Sequence, residues 1–596
     1  MNIDMDKLSL SDTLKTPVIP IAPLLTPPLE ETLLSIRHVE GNSVMEETGD
    51  EGTGTSKIVS SSPAAISATT SSRFPIQVVL IPNRGRAYIA TRKILPQELV
   101  LVAEPYGATI CDSWLDCGVC HYCWTTIQDR KAQIRLPKND LQEDHGKGGG
   151  GKKKQKQKQE TVMVFCDETC HSLYGPALAQ WVCQVEQKIR RKWQELDTRH
   201  WKLVFPTTFT TPPAPGHYST LVQEALRIAN TRQELLQLND QDLTLFLSCV
   251  WGALDGLIEE QLSALVQDSN SSTSTSQQQE QPQRRQRQQP TQMQRYEAVI
   301  PKLTAYLLTG GSWANIAART ADSDCETVRF VCKLLYRREL ELRLTADLSS
   351  SSLPQPTPEE NTLDTGDTKA QGDPITFAEY CSIQMNELSL LRQQLKFDME
   401  NTEIKSAEPT KSSAQGANTP TKHESDHSRF MIQWRQLVSL LPTHLLGFFY
   451  MYLRMRDAFL LLALESTDSA IIPPIDNTLF RRIAFSEIAN SFGIWDPSFE
   501  LFGYVVYPRA SFFNHSCRPN IDKKRRQSGK LRQMEYWSAR TIEAGEECCI
   551  SYGDILVSQK ERQDKLEEGF FFRCSCVRCQ EEEAAEQEAS KSSTAL

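Results

Sequence analysis

ASFFNHSCRPNID (Ala510–Asp522) decides the fold when it is read with GEECCISYGD (Gly545–Asp554) and RCSCVRC (Arg573–Cys579). Asn514, His515 and Ser516 form a tight polar cluster directly after the apolar Ser511-Phe512-Phe513. Donors and acceptors set in apolar surroundings need partners, so the expectation is that something binds at this cluster. Downstream, an acidic turn leads through Ile550 to Tyr552 and Gly553, followed by a C-x-C-x2-C triplet, Cys574, Cys576 and Cys579. Such a triplet is one thiolate short of a tetrahedral zinc site, and Cys517 is the natural fourth ligand. Zinc would then pin the C-terminal segment across the Asn-His cluster.

The totals bound what surrounds this stretch. The chain has 596 residues, a formal net charge of -10 and a pI near 5.7, which argues against nucleic-acid binding over the whole surface. A hydrophobic content of 39% with 10 Trp and 22 Phe requires a packed core in part of the chain. The mean hydropathy of -0.42 and long Ser, Gln and Lys runs require other parts to stay unpacked. MNIDMDKLSLSDTLK lacks the basic start and apolar core of a signal peptide. With 17 cysteines and no export signal, the expectation is a reducing compartment, nuclear or cytoplasmic, and zinc or buried thiols in place of disulfides. The most apolar stretch, Leu437–Leu464, is broken by Pro442, His444, Arg454, Arg456 and Asp457, and reads as buried helices outside any membrane.

Taken in order, residues 1–72 are Ser/Thr/Pro-rich and read as a flexible tail. Phe74–Ile110 carries short β-rich runs at Ile76–Ile81, Tyr88–Ala90 and Leu99–Ala103, separated by Pro, Asn and Gly turns. Cys111–Cys183 is cysteine-rich, and its insertion HGKGGGGKKKQKQKQ reads as a solvated loop, with a localisation signal or nucleic-acid patch as the lesser alternative. Helical spacing is expected at Cys183–Trp201, Thr220–Gln267, Tyr296–Leu344 with Trp313 and Phe330 as anchors, Ile375–Asn401 and Arg429–Ser466. Polar linkers separate these at Asp268–Thr291 and Ser349–Ser428. Tyr504–Phe513, Leu531–Ala539 and Cys548–Ser551 read as strands, with a Ser528-Gly529 turn in a basic loop.

The segments NHSCRPN, EECCISYGD and C-x-C-x2-C resemble SET-domain protein lysine methyltransferases, most closely the SET and MYND domain (SMYD-like) branch, here as a divergent fungal-type member. The resemblance implies an α+β fold: a split SET-domain β-fold with a zinc-binding post-SET tail, a degenerate MYND-like zinc finger and a large helical insertion carrying linkers. The implied divisions are a tail to 72, an N-terminal SET part at 73–116, the finger at 117–184, the insertion at 185–479, the C-terminal SET part at 480–556, the post-SET segment at 557–580 and a tail at 581–596. The helical C-terminal domain of many SMYD-like enzymes is expected to be missing after Cys579, leaving an open substrate cleft.

By the same resemblance, VCHYCW and VFCDETCHSLYG supply a finger zinc through Cys120, Cys123, Cys166 and Cys170, with Cys117 as a substitute for one of the first pair. The second MYND zinc lacks its ligands. Cys517, Cys574, Cys576 and Cys579 hold the post-SET zinc. S-adenosylmethionine is expected against Arg86, Ala87, Asn490, Ser511, Asn514, His515 and Phe572, Ala87 standing where the family has a second glycine. Tyr552 is the implied catalytic residue, and it lines the target-lysine channel with Phe492 and Phe570, the latter a tyrosine in many relatives. The implied partner is a protein bearing a lysine, histone or otherwise, and the enzyme is expected to be a monomer. A non-catalytic zinc scaffold is the competing reading.

Overall fold

Leu99–Ala103 and Gly107–Ile110 lie early in the chain, yet their hydrogen-bond partners follow residue 500. The computed structural model describes residues 74–82, 84–114, 118–127, 133–136, 163–197, 217–271, 324–350, 375–406, 426–465, 475–496, 498, 500–525 and 532–594. All but Ile475 and Asp476 belong to one unit. The expected tail at 1–72, the Lys-rich insertion, Cys117, Trp313, the Ser528-Gly529 turn and most of both linkers lie outside the described residues.

β1 (Ile76–Ile81) and β2 (Gly85–Ala90) form an antiparallel hairpin, and β3 (Leu99–Ala103) and β4 (Gly107–Ile110) follow. A second hairpin, β5 (Ile134–Leu136) with β6 (Met163–Phe165), belongs to the cysteine-rich region. After the helices come β7 (Ser491–Trp495), β8 (Leu501–Val506), β9 (Asn514–His515), β10 (Ile521–Arg525), β11 (Met534–Ser538) and β12 (Cys549–Ile550). The sheets run β10-β11-β3 and β4-β8-β7, all antiparallel, while β9 pairs with β12 in parallel. Sequence-distant strands thus share one core, in which Tyr88, Val100, Ile110, Val505, Phe513, Tyr536 and Ile550 are all buried. Pairing of this kind demands that the intervening chain fold back on itself, and the helices provide that return.

Those helices are Pro176–Asp197, His217–Ile228, Arg232–Gln237, Asp240–Ser271, Asp324–Ser350, Phe377–Cys381, Glu387–Ser406, Asp426–Leu440, Thr443–Glu465 and Asn477–Glu487. Trp251 centres them, its ring 4.1 Å from that of Phe449 and its Nε1–H donated to Glu387 at 2.9 Å. Arg481 pairs with the same buried carboxylate at 2.6 Å, so neither charge is left uncompensated. Helix Asp324–Ser350 is anchored to the sheet through Arg329, which pairs with Glu186 and Asp112 and donates to Ile110 O at 2.8 Å. A Cβ at Gly107 would lie 2.5 Å from Leu334 Cδ1 and 2.6 Å from the Phe330 ring, so β4 packs this close to the helix because residue 107 has no side chain. Among the described residues no single helix is long and apolar enough to cross a membrane.

The structure changes several expectations. The strand expected over Tyr504–Phe513 stops at Val506, and Pro508–Phe512 is a 3-10 turn, because Pro508 fixes φ and lacks the ladder donor. The expected Thr220–Gln267 helix is three pieces, the middle one capped by the Thr231 side chain accepting from Glu234 N–H. Asp268–Ser271, assigned to a linker, continues the third piece, and the presumed tail after Cys579 is the helix Val577–Thr594.

Candidate active site and metal centres

The polar cluster finds its partners inside the protein. β9 and β12 align Asn514 with Cys549 and His515 with Ile550. The buried His515 ring then accepts Tyr552 N–H at Nδ1 (3.1 Å), which leaves the proton on Nε2, 3.3 Å from Cys517 Sγ. Burial, followed by the positive charges of Arg84, Arg562 and Lys523, pulls the His515 pKa down to about 4, so the ring is neutral near pH 7. Asn514 Nδ2 donates to Glu547 Oε1 at 2.9 Å, Glu547 pairs with Arg84 at 2.7 Å, and Arg84 donates to His515 O at 3.1 Å. Arg84 therefore clips the β1–β2 turn onto the cluster.

Two cavities flank Tyr552. The first, about 400 Å³, is lined by Arg86, Asn490, Ser511, Asn514, His515 and Phe572 among others. The second, about 380 Å³, is lined by Phe492, Phe513, Trp495 and Met534 among others. Ala489, Asn490, Ser511, Tyr552 and Phe570 belong to both, so the two spaces share a wall. The Tyr552 hydroxyl donates to Phe513 O at 2.8 Å, and its ring centroid is 4.7 Å from that of Phe570. Burial raises the Tyr552 pKa, so the group stays a neutral hydroxyl.

Of the residues expected against a cofactor, all but Ala87 line the first cavity. Ala87 is fully buried and lies outside the cavity lining, because side chains alternate along β2 and it is Arg86 that takes the cleft side. Gly85, with φ +74° and open space around a Cβ position, supplies the bare backbone in its place. His515 uses both ring nitrogens internally, so only the outer surface of the residue meets the cavity. The turn Asn83–Ala87 was expected against the cofactor, but sequence reading gave Arg84 no role of its own and missed its partner Glu547. It also missed Gln384, Asn386 and Ser389, which reach the cleft from the helical region and carry no local motif. Ala489 and Phe571 line the cleft with φ of +62° and +67°, conformations that cost side-chain-bearing residues energy.

Both cysteine sets converge. The sulfurs of Cys120, Cys123, Cys166 and Cys170 lie within 4.8 Å of one another, with Cys123–Cys166 at 3.8 Å and Cys166–Cys170 at 3.1 Å. Asp167 caps the helix Glu168–Tyr174 by accepting Cys170 N–H, which turns Cys170 toward the β5–β6 hairpin. Those of Cys517, Cys574, Cys576 and Cys579 are equally close, with Cys517 3.6 Å from Cys579 and 4.0 Å from Cys574. Tetrahedral Zn–S bonds of about 2.3 Å put sulfurs roughly 3.8 Å apart, so both sets fit zinc. Gln563, on the helix Gln559–Phe570, holds the second set by exchanging 2.7 Å hydrogen bonds with the Cys574 backbone.

Residues 359–553, which carry β7–β9, β12, the Asn514-His515 cluster and Tyr552, match the SET domain family model. The chain is 41% identical over 110 residues to the potential protein lysine methyltransferase SET6 of Saccharomyces cerevisiae, covering 17% of this chain and 28% of that protein. It is 37% identical over 116 residues to the histone-lysine N-methyltransferase SMYD3 of Mus musculus, covering 20% and 26%. A SET and MYND domain-containing protein of Dictyostelium discoideum is 38% identical over 101 residues, covering 17% and 24%. The matched stretch thus spans about a quarter of the length of these curated relatives.

Proposed function

We propose that this chain is an S-adenosylmethionine-dependent protein lysine N-methyltransferase whose SET fold is split, with β1–β4 supplied before the helical insertion and β7–β12 after it. The observation that carries the reading is the shared wall: two cavities meet at Tyr552, Phe570 and Asn490, as transfer between two separately entering ligands requires. The first cavity suits S-adenosylmethionine. The Arg86 guanidinium sits 5.1 Å over the Phe512 ring with no carboxylate partner among the described residues, matching a ligand that carries its own carboxylate. Phe572 offers an aromatic face there. When bound, the cofactor supplies an electrophilic methyl group on sulfonium.

The protein's own residues have two tasks. Phe492 and Phe570 wall the second cavity, and desolvation between these rings disfavours the ammonium form of an entering lysine. Tyr552, fixed by its bond to Phe513 O and its packing on Phe570, orients that amine. Alignment of this kind contributes about 7–11 kcal/mol in favourable model systems. Cys517, Cys574, Cys576 and Cys579 form a post-SET zinc clamp, and Cys120, Cys123, Cys166 and Cys170 a MYND-like finger. Zinc-loaded protein should bind S-adenosylmethionine by calorimetry and transfer labelled methyl to protein lysines. Failure to bind the cofactor sinks the reading.

A further inference from the structure

Period-two alternation places Lys523 and Arg525 of β10 on one face, and both line the mouth of the second cavity. Their cross-strand partners are Tyr536 and Met534, whereas Glu535 stands opposite Lys524 on the other face. Among the described residues no aspartate or glutamate lines this cavity. Among the described residues, neither Lys523 nor Arg525 is ion-paired, although most arginines of the fold are. Lys523 is nonetheless held in place: Nζ donates to Ser551 O at 3.0 Å and stands 5.6 Å over the Phe492 ring. At the same mouth Trp495 is 51% exposed, its indole folded so close over Gly493 that a Cβ there would lie 2.6 Å from Nε1. In a chain of net charge -10, a fixed cationic rim with an exposed indole is a local reversal of sign.

We propose that Lys523 and Arg525 select the substrate: a protein segment whose target lysine is flanked by aspartate or glutamate, with an apolar residue placed to meet Trp495. The inference rests on the methyltransferase reading and narrows it. The Phe492 and Phe570 walls admit an alkyl amine, which favours a lysine-bearing peptide over a nucleic acid as the anionic partner. Highly basic tails would meet like charge at the rim.

The test is fluorescence anisotropy on the zinc-loaded full chain with S-adenosylmethionine present. Two labelled peptides would be used, alike but for glutamates or arginines flanking one central lysine. The glutamate peptide should bind about five- to tenfold more tightly at low salt, as one or two partly screened ion pairs provide. Lys523→Gln with Arg525→Gln should erase the difference. Arg525→Gln alone, which leaves the Ser551 contact intact, should halve it or more if the double variant does not fold. Equal binding, preference for the arginine peptide, or displacement of the glutamate peptide by a shorter excess of single-stranded oligonucleotide than of unlabelled peptide overturns the proposal. Retained acidic preference without methyl transfer to either peptide supports the rim and counts against the activity instead.

Discussion

His515 Nε2 lies 3.3 Å from Cys517 Sγ while Nδ1 of the same ring accepts Tyr552 N–H at 3.1 Å. One imidazole thus ties a sulfur of the C-terminal cysteine set to the residue at the junction of the two cavities. A zinc held by this set would be coupled to the cleft geometry through a single buried side chain.

That coupling sets what metal removal does. A Cys517→Ser protein should retain one zinc fewer than wild type by elemental analysis. Its affinity for S-adenosylmethionine should fall with the zinc, because Cys517 Sγ and Tyr552 N–H share the His515 ring. Normal cofactor affinity in a protein that has lost this zinc would break the coupling.

Replacing His515 probes the link from the other side. His515→Phe preserves bulk but leaves a buried Tyr552 N–H unsatisfied, at a cost of about 1–3 kcal/mol. Urea denaturation should show the loss in the midpoint with little change in slope.

The Arg84–Glu547 pair should separate stability from binding. The Arg84 side chain is 37% exposed, so its ion pair is worth only about 0.2–1 kcal/mol. Yet Arg84 also holds His515 O and the β1–β2 turn beside the first cavity. Arg84→Ala should therefore shift the melting temperature little and weaken cofactor binding several-fold; equal losses in both would assign Arg84 to stability alone.

Contact between the two halves of the sheet and the helices is tested at Gly107. Gly107→Ala drives a methyl group into Phe330 and Leu334, and overpacking of this kind costs about 1–3 kcal/mol. A protein of unchanged denaturation midpoint would show that helix Asp324–Ser350 can yield there.

Much of the site was legible because its chemistry depends on side chains at short spacing. NHSC, the Tyr552 turn and the cysteine triplet declare their ligands locally, and the structure brings Cys517 to Cys574, Cys576 and Cys579 across dozens of residues. Trp251 and Arg329 were illegible, since each draws its partners from distant helices and sheet. That Ala87 falls outside the cavity lining was not legible, because a turn motif does not say which face of the following strand meets the cleft. The 3-10 turn at Pro508–Phe512 was hidden by β-favouring aromatics whose propensity the proline overrides. The Arg84–Glu547 pair and the left-handed Ala489 and Phe571 went unseen because clips and strained backbone leave no pattern in the residue order.

The central claim is that Tyr552 sits where cofactor and lysine meet and orients the amine. It is tested most directly by measuring labelled methyl transfer to protein lysines together with S-adenosylmethionine binding in wild type and Tyr552→Phe. The account predicts binding within about twofold of wild type and transfer reduced about 100-fold, the loss expected when a reacting group is misplaced by an ångström. Full transfer by Tyr552→Phe, with binding intact, would contradict it.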